Sequence, residues 1–132
     1  MDHELEEEVR NRAQGRCEYC LLPQRYSRLK FPIDHVIACQ HGGDDAPHNL
    51  ALACGFCNRH KGPNLAGIDP ETASLTRLFH PRQDDWREHF RWSGASLLGL
   101  TPIGRATIIV LAINHPQQIA TRQALIDEDV FP

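Results

Sequence analysis

The sequence predicts an α+β fold: a strand, loop, strand and short helix closed at the base by four cysteines, with a helix before it and a small β-hairpin plus helices after it. Three observations predict this. Two C-x-x-C pairs, Cys17/Cys20 and Cys54/Cys57, stand at either end of one segment. Between them, "KFPIDHVIA" and "LALA" flank the turn-dense "CQHGGDDAPHN" as two strands flank a loop. After the last cysteine, "NRHK" runs into Gly62-Pro63, a helix stop.

Taken in order, residues 2–14 read as a helix whose acids sit favourably in the first turns and which ends at Gly15. Residues 30–38 read as a strand, with Pro32 placing it at an edge or at its own start. A short return strand follows the loop, and a helix of about two turns is expected to begin near Cys57. Further on, Phe90 and Trp92 precede a "SGAS" turn, and Leu98 and Leu100 follow it, a hairpin pattern. Thr101-Pro102 is an N-cap with proline at the first helical position, so the β-branched "TIIVL" is read as helix. A last helix is expected from Pro116 to about Ile126, its acidic "DED" end opposing the helix dipole.

A chain of 132 residues with 41% hydrophobic content has room for one core. The expected organisation is a core at residues 1–67 and a C-terminal extension at 68–132 packed on the same domain. The longest apolar run, "TIIVLAI", is far shorter than the roughly 20 residues a bilayer span requires. The opening is acidic, with no basic and then apolar leader. The expectation is a cytoplasmic protein without a membrane partner, taken as a monomer.

Each C-x-x-C places its sulfurs at i and i+3, so a tight turn brings both to one side. Four thiolates then complete a tetrahedron around zinc at about 2.3 Å. Redox pairs or buried thiols are the alternatives. The absence of an export signal and of a strand-to-helix redox context favours structural zinc on Cys17, Cys20, Cys54 and Cys57. Cys39 is left over and is assigned no role.

The net charge of −3 argues against a nucleic-acid partner only until it is resolved along the chain. Residues 1–9 carry five acids and no base, whereas residues 10–63 carry eight Lys or Arg against four acids. The positive part is the part that holds the cysteines, and a phosphate backbone feels such a local patch more than the total.

Within that part, Asp34 and His35 are neighbours on a strand, so their side chains leave on opposite faces unless the strand bends or ends there. Asn49 lies across the loop from His35, and Asn58 follows the last cysteine on the helix. A carboxylate and an amide oxygen are hard ligands suited to Mg2+ or Mn2+. Histidine is the residue type whose unperturbed pKa lies close to neutrality, which suits His35 to take a proton from water. His60 is two residues from Asn58, about 200° around the helix, whereas Lys61 is three on and shares its face. Arg59, His60 and Lys61 are therefore read as nucleic-acid contacts. His41 and His48 are read as turn residues, His3, His80, His89 and His115 as surface or packing, and Arg82, Arg87 and Arg91 as solvated surface.

The pattern Cys17-x-x-Cys20, Asp34-His35, Gly42-Gly43, Asn49-Leu50, Cys54-x-x-Cys57-Asn58-x-x-Lys61-Gly62 resembles an HNH endonuclease of the zinc-bearing ββα-metal group, over residues 17–62. The resemblance implies that Asp34 binds the catalytic metal and His35 is the general base. It implies that Asn49 holds the loop and orients His35, and that Asn58 is the second metal ligand. The implied activity is metal-dependent hydrolysis of DNA phosphodiesters, with RNA also open as a substrate. Two positions depart from the pattern: Asn58 stands where histidine is frequent, and Ala38 where proline is usual. A zinc-ribbon module that binds nucleic acid without cutting it is the alternative, and a zinc-stapled interaction protein is a third reading. Residues 68–132 resemble C-terminal extensions of some small stand-alone HNH proteins, which carry no residue roles.

Overall fold

Helix α1, His3–Arg12, starts where the Asp2 carboxylate accepts the Leu5 N–H at 2.8 Å, with Glu4 and Glu6 in the first turn and Arg10 and Arg12 in the last. The computed structural model describes residues 1–132. Val9 is the fully buried residue of α1, and Arg12 reaches away to donate to the carbonyls of Pro47 and Leu50 at 2.9 and 2.5 Å. The first helix thus holds the far end of the loop.

Strand β1 is Ile33–His35, and it pairs antiparallel with β2, Leu50–Leu52, in the register Ile33 to Leu52, Asp34 to Ala51 and His35 to Leu50. It is shorter than the 30–38 expected. Pro32 has no N–H to extend it, and beyond Val36 the backbone of Ile37 bonds to the Asn49 side chain instead of a strand. β2 is buried along its whole length. Helix α2, Gly55–Lys61, begins two residues before the expected start, because Cys54 caps it: its sulfur accepts the Cys57 N–H at 3.4 Å.

The C-terminal half contains a hairpin that sequence reading missed, β3 (Ala66–Ile68) with β4 (Leu75–Arg77). A single helical turn, α3 (Trp86–His89), capped by Asp85, then leads into the hairpin β5 (Phe90–Ser93) and β6 (Ser96–Gly99). Gly94 makes its turn at φ 60°, the first-position conformation of a two-residue hairpin loop. Of the apolar residues after the turn, Leu98 and Leu100 are 39% and 44% exposed, and Leu97 is the buried one. The pairing Ser93 to Ser96 sets this: it puts Leu97 opposite Trp92 and Leu98 opposite the outward Arg91.

Helix α4, Pro102–Val110, follows the Thr101 cap, and α5, Pro116–Asp127, follows His115, whose Nδ1 accepts the Gln117 N–H at 3.1 Å. One cluster of 16 buried residues runs from Val9, the four zinc-type cysteines, Phe31, Leu50 and Leu52 through Phe79, Phe90, Leu97, Leu111 and Ile113. Arg122 of α5 is also buried, donating to the carbonyls of Ala95 and Ile113 at 2.8 and 2.9 Å beneath the Trp92 ring. No helix is long and apolar enough to cross a membrane. The architecture is α+β, with three two-stranded antiparallel sheets and a clustered cysteine tetrad.

Candidate active site

The sulfurs of Cys17, Cys20, Cys54 and Cys57 lie within 4.8 Å of one another, all four buried. Cys20 Sγ and Cys54 Sγ are 3.8 Å apart, the edge of a tetrahedron with zinc–sulfur bonds of about 2.3 Å and far beyond the roughly 2.05 Å of a disulfide. In each pair the second cysteine's N–H points at the first sulfur, Cys20 to Cys17 at 3.5 Å and Cys57 to Cys54 at 3.4 Å. The two knuckles therefore share one geometry, and the donor set fits zinc with no open position.

The residues between the first two cysteines fasten that site to the strand pair. The Glu18 carboxylate accepts the Leu52 N–H at 2.8 Å and pairs with Arg82. Arg82 is thus drawn against the core instead of lying on the solvated surface, and burial lowers its guanidinium to about 10. Tyr19, fully buried, donates its hydroxyl to Asp34 Oδ2 at 2.7 Å.

Asp34 is 5% exposed, and Lys61 Nζ lies 3.1 Å from its Oδ2 and 3.3 Å from its Oδ1. The same ammonium donates to the carbonyls of His35 and Val36 at 3.2 and 3.0 Å. Burial pushes the Asp34 carboxyl up from its ordinary range, against the opposing pull of the Lys61 charge and the Tyr19 hydroxyl. Lys61 is 1% exposed, so its reading as a phosphate contact is corrected: it is the internal countercharge of Asp34. Replacing Lys61 with methionine leaves a buried carboxylate without its cation, a loss expected to cost about 3–5 kcal/mol. Urea unfolding measures it, and Asp34→Asn in the Lys61→Met background is expected to recover much of it. Equal midpoints for wild type and Lys61→Met would show that the pair does not carry this load.

His35 leaves the strand on the other side, as the two-residue period requires. Its side chain is 26% exposed, and its Nε2 is 2.7 Å from Asp45 Oδ1. The loop that presents Asp45 is pinned from within. The Asn49 amide accepts the Ile37 N–H at 2.8 Å and donates to the carbonyls of Ile37 and Asp44 at 2.9 and 2.8 Å. Asn49 thus ties the two arms of the loop, while the side chain that holds the His35 imidazole is Asp45. The reading that Asn49 itself orients His35 is corrected to this indirect arrangement. The glycine pair serves the same closure: Gly42 turns the chain at φ 90°, and a Cβ on Gly43 would fall 1.7 Å from the Ile37 carbonyl oxygen.

Asn58 is half-buried on α2, on the helix face of Lys61 three residues later. Arg59 is exposed and lines, with Lys30, Gln117 and Thr121, a hollow of about 340 Å³. His60 is exposed, with Nδ1 2.9 Å from the Phe56 carbonyl and its ring stacked on Phe56 at 4.1 Å. The structure therefore brings Asp34 together with Tyr19 and Lys61, and His35 together with Asp45. Sequence reading missed Tyr19 and Asp45. Tyr19 carried a faint signal as an aromatic between zinc-type cysteines, and Asp45 carried none beyond a turn composition.

No curated protein matches the chain. The family model described as HNH endonuclease matches residues 17–64, the stretch that holds both knuckles, the strand pair, the pinned loop and α2.

Proposed function

We propose that the protein is a metal-dependent endonuclease that hydrolyses phosphodiesters in DNA, with His35 as the general base. The observation that supports it most is the imidazole itself: partly exposed at the end of β1 within the segment that the HNH endonuclease model matches, with Nε2 held by the Asp45 carboxylate. With Nε2–H donating to Asp45, Nδ1 keeps its lone pair and can take a proton from an attacking water. The carboxylate then steadies the imidazolium that forms, as a carboxylate does wherever it backs a catalytic histidine.

The oxygen donors suit a hard divalent ion. A carboxylate offers about four acceptor positions, and Tyr19 and Lys61 account for three on Asp34, two of them on Oδ2, so Oδ1 retains one. Asp34 and Asn58 would hold Mg2+ or Mn2+, which when bound supplies Lewis acidity toward the phosphate and the leaving 3′ oxygen. Burial pushes the Asp34 carboxyl up, and the Lys61 charge pulls against it in favour of the carboxylate that a metal needs. Arg59 and Lys30 at their shared hollow give a duplex backbone two exposed positive charges. The products would be a 5′ phosphate and a 3′ hydroxyl.

Supercoiled plasmid incubated with the purified protein tests this. Nicked or linear DNA is expected with Mg2+ or Mn2+ and none with EDTA, and a parallel RNA substrate separates the two nucleic acids. A gel shift of the duplex without any cleavage would overturn the enzyme reading in favour of the non-cutting binding module.

A further inference from the structure

Cys39 stands exposed in a short turn just past β1, Cys39–His41, and plays no part in the tetrad. Its sulfur, a ring nitrogen of His35 and a carboxylate oxygen of Asp45 lie within 4.8 Å of one another. The three come from the end of a strand, a turn and the far arm of the loop, so their meeting is a product of the fold. That meeting is held in place. Gly42 N–H bonds to the Cys39 carbonyl at 3.0 Å, and Gly43 N–H to the Ala38 carbonyl at 3.1 Å. The Asn49 amide fixes Ile37 on one side and Asp44 on the other.

We propose that His35, Cys39 and Asp45 form a second metal site, open to solvent, that takes Zn2+ and in doing so silences the His35 imidazole. One nitrogen, one sulfur and one oxygen with a water in the fourth position is the coordination pattern of an open zinc site. Bonds of about 2.0–2.3 Å to zinc place tetrahedral ligands roughly 3.3–3.7 Å apart. The His35 to Asp45 contact of 2.7 Å therefore has to open slightly, and Asp45, 74% exposed, is free to move. Binding releases the thiol proton to solvent, and the thiolate and carboxylate together neutralise the ion. A thiolate prefers Zn2+ to Mg2+ or Mn2+, so this site and the one at Asp34 take different ions. An imidazole with zinc on one nitrogen has either no lone pair left for water or a second nitrogen of lowered basicity. The site itself is independent of the nuclease reading, whereas the silencing rests on it.

The test is a titration of the full chain, loaded with one zinc per molecule, with Co2+. A thiolate-to-cobalt charge-transfer band saturating at one further equivalent is expected in the wild type and not in Cys39→Ala. Absence of the band, or its persistence in Cys39→Ala, would overturn the site. In the Mg2+ plasmid assay, added Zn2+ is expected to slow the wild type at least tenfold and Cys39→Ala less than twofold, each against its own zinc-free rate. Equal zinc sensitivity of the two would overturn the silencing. A protein that never cuts but shows the cobalt band sinks the nuclease reading and upholds the site.

Discussion

Cys57→Ser is expected to abolish zinc binding at the cysteine tetrad and to unfold the chain. Binding of a structural zinc is worth about 10–16 kcal/mol in small metal-organised folds, whereas the net stability of a domain is about 5–15 kcal/mol. Losing the ion therefore exceeds what the rest of the structure can absorb. Cys57 sits 1% exposed inside the main hydrophobic cluster, and its N–H is half of the knuckle that starts α2. Hydrogen bonds among the sulfurs push the Cys20 and Cys57 thiols well above their ordinary range and draw Cys54 below it. A buried quartet of this kind cannot ionise together without a cation. Zinc content by elemental analysis and thermal melting by circular dichroism check the outcome. Full zinc occupancy with an unchanged melting temperature in Cys57→Ser would remove the tetrad assignment.

His35→Ala is expected to lower plasmid cleavage by about 10²–10⁴-fold, the usual contribution of a positioned base, while leaving the fold and duplex binding intact. The side chain is partly exposed and stands outside the core cluster, so its removal opens no cavity. Asp45→Asn is expected to fall between the wild type and His35→Ala, since an amide can still orient the ring but cannot stabilise its charge. Cleavage by His35→Ala at a rate comparable to wild type, with metal still required, would move the base elsewhere.

Much of this arrangement is readable before any coordinates. The two C-x-x-C spacings announce their tetrahedron, and the turn-dense stretch between two apolar runs announces the strand pair. The adjacency of Asp34 and His35 already implies opposite faces. What stays hidden depends on contacts between distant positions. Asp34 meets Tyr19 from 15 residues away and Lys61 from 27, distances at which local periodicity carries no information. Lys61 reads as a surface base because helix position alone does not reveal a carboxylate beneath it. In the hairpin of β5 and β6, alternation is ambiguous because Leu97 and Leu98 are neighbours, and the turn length alone decides which one points inward. At α4 two local signals disagree, and the Thr101 cap with Pro102 prevails over the β-branched run that follows.

Tyr19 lies between two zinc-type cysteines with its ring fully buried, and the Trp86 indole N–H donates to its carbonyl at 2.8 Å. Departure of the ion would loosen that carbonyl and admit water to the indole, shifting its emission to longer wavelength. A tetrad loaded with zinc would thereby give the molecule its own fluorescent gauge of metal load, legible without dye, label or substrate.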